Sequence, residues 1–410
     1  MRKKIYISGD IKETRACTLS NFDFKWAVKL NRYILTPVGL WPESKQTTWK
    51  KYTCNLRTFI TFILVLFVIL IPAIHSLIRI HGDIISMIDN LQFTIPTIAV
   101  MLRIAIFWWK KKALSSLMDM IAEDWIKPKA PWEKIIMITR AQTARTIITI
   151  MYGMMGMSFI VAICLPLCGF SLRYEANNTG KQLPLQTLYY VYDTTKSPQY
   201  EFTFIIQTIS MIVGVLPYTG IDNFLSLLVF HICGQLDILK YHIMHLDKFG
   251  NYTKALKSCV MDHTRIIRAI GIVEDTFNLM LLALLLYFGI LFAFYGFFIL
   301  NILNDDNSLS ISRLLYIITF VVTMSGHMCA YCAVGEILIS QCNRIHYAAY
   351  SNKWYTLNPK DARNIIFLLI RTNEPICLTA GKMFPMTMAT FSSLIKTSAG
   401  YVSVLLTTRT

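Results

Sequence analysis

The chain has 410 residues, 40 of them Lys or Arg and 24 Asp or Glu, for a formal charge of +16, yet only 16% are charged and 54% are hydrophobic. Its mean hydropathy is +0.47. Such low charge density excludes a disordered chain and argues against a soluble enzyme, because soluble domains carry about a quarter charged residues. The basic surplus has two readings: a face for nucleic acid, or flanks that orient membrane helices.

A spanning helix needs about 20 mostly apolar residues, and the chain offers seven candidates after a polar, basic segment over 1–57. Thr58 to Ile78 is uncharged between Arg57 and Arg79. Ile84 to Trp109 carries Asp89 and Arg103 and ends in Trp108, Trp109 and Lys110 to Lys112, an aromatic and basic finish suited to an interface. Arg103 is expected to snorkel toward that interface and Asp89 to lie nearer the opposite side. Thr146 to Phe170 is the third span, and Phe202 to Ile221 the fourth. Apolar character continues past Asp222 to Leu239, which predicts one 38-residue helix, about 57 Å long and overhanging the bilayer. Thr276 to Asn304 and Leu314 to Gly335 are the fifth and sixth. The last, Met383 to Thr408, contains Lys396 and nine Ser or Thr among 26 residues. Lipid does not reward those hydroxyls, so both a water-lined path and close helix packing stay open.

The basic residues then settle an orientation. Twelve precede the first span, and 8, 6 and 5 fall between spans two and three, four and five, and six and seven, placing 31 on one side against 6 on the other. The positive-inside rule puts the N-terminus in the cytoplasm and the C-terminus outside, so nucleic acid is not an expected partner. No secretory leader is expected, since the first apolar run begins at residue 58. A G-protein-coupled receptor has the reverse orientation, and the chain lacks Asp-Arg-Tyr after span three and Asn-Pro-x-x-Tyr in span seven. A secondary transporter would show an internal repeat, and none is visible. The cytoplasmic side is patterned: Leu256, Val260, His263, Ile267 and Ile270 share one helical face, and Asn358 and Pro359 cap a short helix with an apolar part over Ile365 to Ile370. These predict an all-α fold with a cytoplasmic helical anchor layer. It comprises residues 58–350 as six spans with helical extensions, 351–382 as a loop and short helix, and 383–410 as the seventh helix.

No enzyme chemistry emerges from the ten cysteines or eight histidines. Cys329 and Cys332 lack a second pair for zinc, and His242 and His245 lack the intervening Glu of a metalloprotease helix. No cofactor is implied. Asn177 opens a glycosylation sequon in an expected outer loop, whereas Asn251 opens one on the cytoplasmic side.

The run from Leu378 through Gly381, Lys382, Phe384, Pro385, Thr390, Phe391, Lys396, Thr397 and Ser398 to Tyr401 resembles the terminal signature of insect odorant receptors, as does the spacing of Ser340, Tyr350 and Trp354. It differs from the gustatory branch, where Thr-Tyr is followed by Gln-Phe: here Gly400 precedes Tyr401 and Thr407 stands at the Gln position. The shared co-receptor is longer between spans four and five, so the resemblance is to a tuning subunit. It implies a heterotetrameric, odorant-gated, nonselective cation channel formed with that co-receptor in the plasma membrane of olfactory dendrites. Alternatives are a G-protein-linked receptor and a gustatory-type channel. The resemblance also implies that Val404 is the hydrophobic gate and Thr407 the polar position near the outer mouth. It implies a pocket for a small volatile between spans two, three, four and six. There the expected contacts are Phe93; Met154 and Met157; Ile205, Thr208 and Ile212; and Met324, His327 and Tyr331, with His327 or Tyr331 donating one hydrogen bond. The topology predicts that glycosidase treatment of the cell-surface chain removes glycan from Asn177 and none from Asn251; glycan on Asn251 would contradict it.

Overall fold

The computed structural model describes residues 23–43, 46–82, 84–127, 129–170, 183–185, 196–304, 311–374 and 376–407, with some side chains in these ranges left aside. A first helix, α1, covers 23–35, and the chain then turns at Gly39, whose φ of 77° suits a residue without Cβ. Thr47 caps α2, Thr48–Leu64, by accepting a hydrogen bond from the Lys50 amide. The helix widens into a π turn, Val65–Leu70, and resumes as α3, Ile71–Arg79. Pro72 accounts for the widening, since it has no N–H to give to the carbonyl four residues back.

Four long helices follow: α4, Ile84–Ile126; α5, Pro131–Leu167; α6, Gln199–Met244; and α7, Tyr252–Asn304. Pro131 starts α5 and the Glu133 carboxylate accepts from the Ala130 amide at 3.0 Å, an acid at the positive end of the helix. At 46 residues, α6 is one continuous helix through Pro217 and Gly220, about 69 Å long, as the unbroken apolar pattern predicts. α8, Ile311–Ser351, and α9, Pro359–Thr372, complete the series before α10, Met388–Thr407. Among the described residues, six helices are long and apolar enough to cross a membrane by length and composition alone. The hydroxyl-rich α10 is shorter and not among these six, and it packs against α7 and α8. The result is an all-α polytopic membrane fold.

The ends expected in the cytoplasm are joined by charged and polar groups from five helices. Asp124 on α4 accepts from Arg265 on α7 at 2.6 Å and pairs with His231 on α6 at 3.1 Å. Arg140 on α5 meets Asp237 on α6 at 2.6 Å, and Asn352 after α8 donates to the Ile243 carbonyl. Thr253 at the start of α7 donates to Asp361 on α9 at 3.0 Å. Near the first turn, burial pushes the Glu43 carboxyl up, but the Lys50 hydrogen bond and the charges of Lys50 and Arg32 outweigh it, so Glu43 titrates below its ordinary value.

Three expectations need correction. On the predicted face of α7, Leu256, His263 and Ile270 are buried as expected, but Val260 is exposed and Ile267 only half-buried, and Cys259 and Ile266 complete the buried face in their place. Asn358 stands at the N-cap of α9 but its side chain makes no capping bond. The seventh helix begins at Met388 rather than Met383: Thr379–Ala380 (β1) and Phe384–Pro385 (β2) pair as an antiparallel hairpin, turned by Gly381 and Lys382 at φ of 62° and 60°. Glu274 on α7 holds that hairpin, accepting from both the amide and the hydroxyl of Thr379. Glu336 on α8 accepts from the Met388 amide at 3.3 Å, opposite the positive end of α10.

The hairpin lies hard against α8. A Cβ on Gly335 would overlap the Met386 carbonyl oxygen, whereas one on Gly271 would meet nothing within 4 Å. Gly335→Ala is therefore expected to destabilise the chain by about 1–3 kcal/mol, read as a lower melting midpoint in lipid nanodiscs, with Gly271→Ala as a control that does not lower it.

Candidate functional site

Above the ionic layer, α4, α5, α6, α8 and the π turn line a cavity of about 150 Å³. A cavity of this size has room for one benzene-sized molecule. Val65 and Ile69 come from the π turn, whose extra residue per turn aims them inward. Phe93, Pro96 and Val100 line it from α4, with Phe93 stacked on Tyr316 of α8 at 6.3 Å between ring centres. Gly214 on α6 leaves room where a side chain would project.

Polar groups on this wall are few, and several are bonded within the bundle. Ser158 and Thr323 bridge α5 and α8 at 2.5 Å, and Thr97 donates to the Phe93 carbonyl at 2.8 Å. Gln92 donates to Asp89 at 2.7 Å, so Asp89 is held in a buried polar contact within the bundle. Tyr218 and Tyr287 share a hydroxyl contact, and the Tyr287 hydroxyl reaches the Met324 sulfur at 3.9 Å.

Beneath the cavity lies a buried ion pair. Arg103 is 2% exposed, its Nη1 is 2.8 Å from Asp222 Oδ2 and 3.4 Å from the Tyr218 carbonyl, and its guanidinium sits 4.2 Å over the Tyr218 ring. Arg103 therefore does not snorkel: a carboxylate on α6, 119 positions along the chain, neutralises it in place.

Three expected contacts meet at the cavity: Phe93, Met324 and His327. Tyr331 is buried one turn deeper, beside Asp222 and Arg103. Thr208 is off the wall. Ile205 and Ile212 point away from the bundle, and on α5 Met157 is 59% exposed while Met154 packs against Gly326. Their places are taken by Met211 and Val215 on α6 and by Met155 and Phe159 on α5, one helical position away. Both helices are apolar all round, so no stripe marks the inward face. The available signal was the small and polar residues inside the spans, Gln92, Thr97, Ser158, Gly214 and Thr323. The side chains of Val404 and Thr407, and the whole of Asn177, lie outside the described residues. Among the described residues no cluster of three metal-ligating groups occurs, and the nine described cysteines are free thiols.

A family model described as 7tm Odorant receptor matches residues 83–399. The chain belongs to the odorant receptor family. Among its relatives, odorant receptor 13a of Drosophila melanogaster is 26% identical over 288 residues, covering 65% of this receptor and 67% of the relative. Odorant receptor 9a of the same fly is 20% identical and covers 87% and 91%. The solved olfactory receptor OR5 from Machilis hrabei, in complex with eugenol, superposes with a TM-score of 0.80 at 17% identity, over 94% of this receptor and 98% of that chain. At that identity the likeness establishes the fold.

The receptor's buried pair gives a directional prediction. Asp222→Leu strands the Arg103 charge and should cost about 3–5 kcal/mol, while the double variant Arg103→Met/Asp222→Leu should recover most of the loss. Thermal melts of the purified chain in nanodiscs check this; additive losses would mean the two charges do not interact.

Proposed function

We propose that this receptor is the odorant-binding subunit of a ligand-gated, nonselective cation channel, assembled as a heterotetramer with the odorant receptor co-receptor in the plasma membrane of insect olfactory dendrites. The observation that carries the proposal is the mainly apolar cavity, of a size for one small volatile, walled by helices from both halves of the chain. That OR5 was solved with eugenol bound supports a small-ligand role for its relative here. Phe93, Met324 and His327 are the contacts we propose from the expected set, joined by Met155, Ser158 and Thr323.

The character of α10 supports a pore role. It docks on α7 through Ser398, which donates to the Gly289 carbonyl at 3.3 Å, while Ser393, Lys396, Thr397 and Gly400 are exposed. A hydroxyl-bearing face without a partner in one subunit suits contact with water and with neighbouring copies. On this reading Val404 forms the gate by dewetting and Thr407 contacts hydrated cations.

Voltage clamp of cells expressing the chain with an insect co-receptor, presented with a volatile panel, tests the proposal. Inward currents are expected for a subset of volatiles, and none despite surface expression would overturn it. Val100→Phe fills the cavity and should raise the half-maximal concentration at least about tenfold, since it displaces a buried ligand group. Val404→Ala should raise the unstimulated leak, and an unchanged leak would remove Val404 from the gate.

A further inference from the structure

We infer that the cavity selects ligands that donate a hydrogen bond, small ring-sized alcohols and phenols over ethers, aldehydes and hydrocarbons of the same shape, with His327 Nε2 and Gln92 Oε1 as the accepting atoms. This rests on the reading of the cavity as the ligand site and names the chemistry it takes.

The inference comes from where each polar hydrogen on the wall goes. His327 Nδ1 is 2.8 Å from the Thr323 carbonyl oxygen, which can only accept, so Nδ1 carries the ring proton. In the neutral imidazole the other nitrogen is then a bare lone pair, and Nε2 is buried with no partner among the described residues. Gln92 gives an amide N–H to Asp89 and leaves its Oε1 buried without a partner. The hydroxyls are committed in the same direction. Thr323 donates to the Thr319 carbonyl and so receives the Ser158 hydrogen, and Thr97 donates to the Phe93 carbonyl. Tyr287 gives its hydrogen toward the Met324 sulfur and receives that of Tyr218.

Two acceptors of cavity-lining residues are therefore left unsatisfied, while the hydroxyl hydrogens of Thr97, Ser158, Tyr218 and Thr323 are committed to protein. Both acceptors belong to residues at least nine-tenths buried, 2% exposed for His327 and 3% for Gln92, and both line the cavity. A buried acceptor left unmade is costly, and a ligand hydroxyl relieves that cost where an ether oxygen or a methyl group does not. The role is the reverse of the hydrogen-bond donation expected of His327 from sequence: the imidazole accepts.

Phenol and toluene test this, being near-isosteric with a hydroxyl exchanged for a methyl. The full chain is purified into lipid nanodiscs, and the concentration giving half-maximal thermal stabilisation is measured for each. Phenol is expected to act at an about tenfold lower concentration than toluene, although toluene is the more hydrophobic. In His327→Phe the ratio should fall toward one, and His327→Gln, which keeps an acceptor, should retain most of it. Equal potency of the two ligands in the wild type, or an unchanged ratio in the double variant His327→Phe/Gln92→Leu, overturns the inference. If stabilisation by both ligands survives Val100→Phe, the cavity is not the site and the proposed function loses its supporting observation. If equal potency is abolished by Val100→Phe, only the hydrogen-bond selection fails. Stabilisation by neither ligand overturns both.

Discussion

The arrangement of the bundle depends on a charge that has no route to water. Arg103 lies in the middle of α4 and is answered by Asp222 on α6. A buried guanidinium without its carboxylate is among the largest single penalties a fold can carry, and the penalty grows in a membrane. The pair therefore fixes the register of α4 against α6. Through the Tyr218 carbonyl and ring, it also fixes the residue that closes the cavity from below. Tyr218 passes the constraint to α7 through Tyr287. Cavity shape and helix register are thus set by the same contacts.

Two other polar layers divide the remaining work. At the basic ends of the helices, Asp124 gathers Arg265 and His231, and Arg140 meets Asp237, so that four long helices meet through directional contacts where apolar packing alone would allow sliding. Glu274 and Glu336 hold the short hairpin and the start of α10. These two acids connect α7, which packs beside the cavity-lining helices, and α8, which is one of them, to the one helix proposed to face a pore. A shift of α8 against α7 would be felt at both ends of that hairpin.

The sequence made the membrane class, the six long spans and the continuous α6 legible, because hydrocarbon thickness and backbone hydrogen bonding leave few alternatives. Arg103 was misread because its partner is distant along the chain, and the Trp108 and Trp109 belt nearby offered a local explanation. The start of α10 was misread because Met383, Phe384 and Pro385 are as apolar as a helix turn, while the signal for a hairpin was only Gly381 beside Lys382. The cavity was legible in kind but not in residue. Helices that are apolar all round carry no periodic mark of their inward face, so the choice between Met154 and Met155 needed the packing itself.

Photolabelling tests the central claim that ligand occupies the space above the Arg103–Asp222 pair. A ring-sized alcohol carrying a diazirine, irradiated on the assembled receptor and mapped by mass spectrometry, should mark the segments holding Ser158 and Thr323 to His327 and be displaced by unlabelled alcohol. Saturable labelling confined instead to the outward residues Ile205 and Ile212, or to α10, would contradict the account.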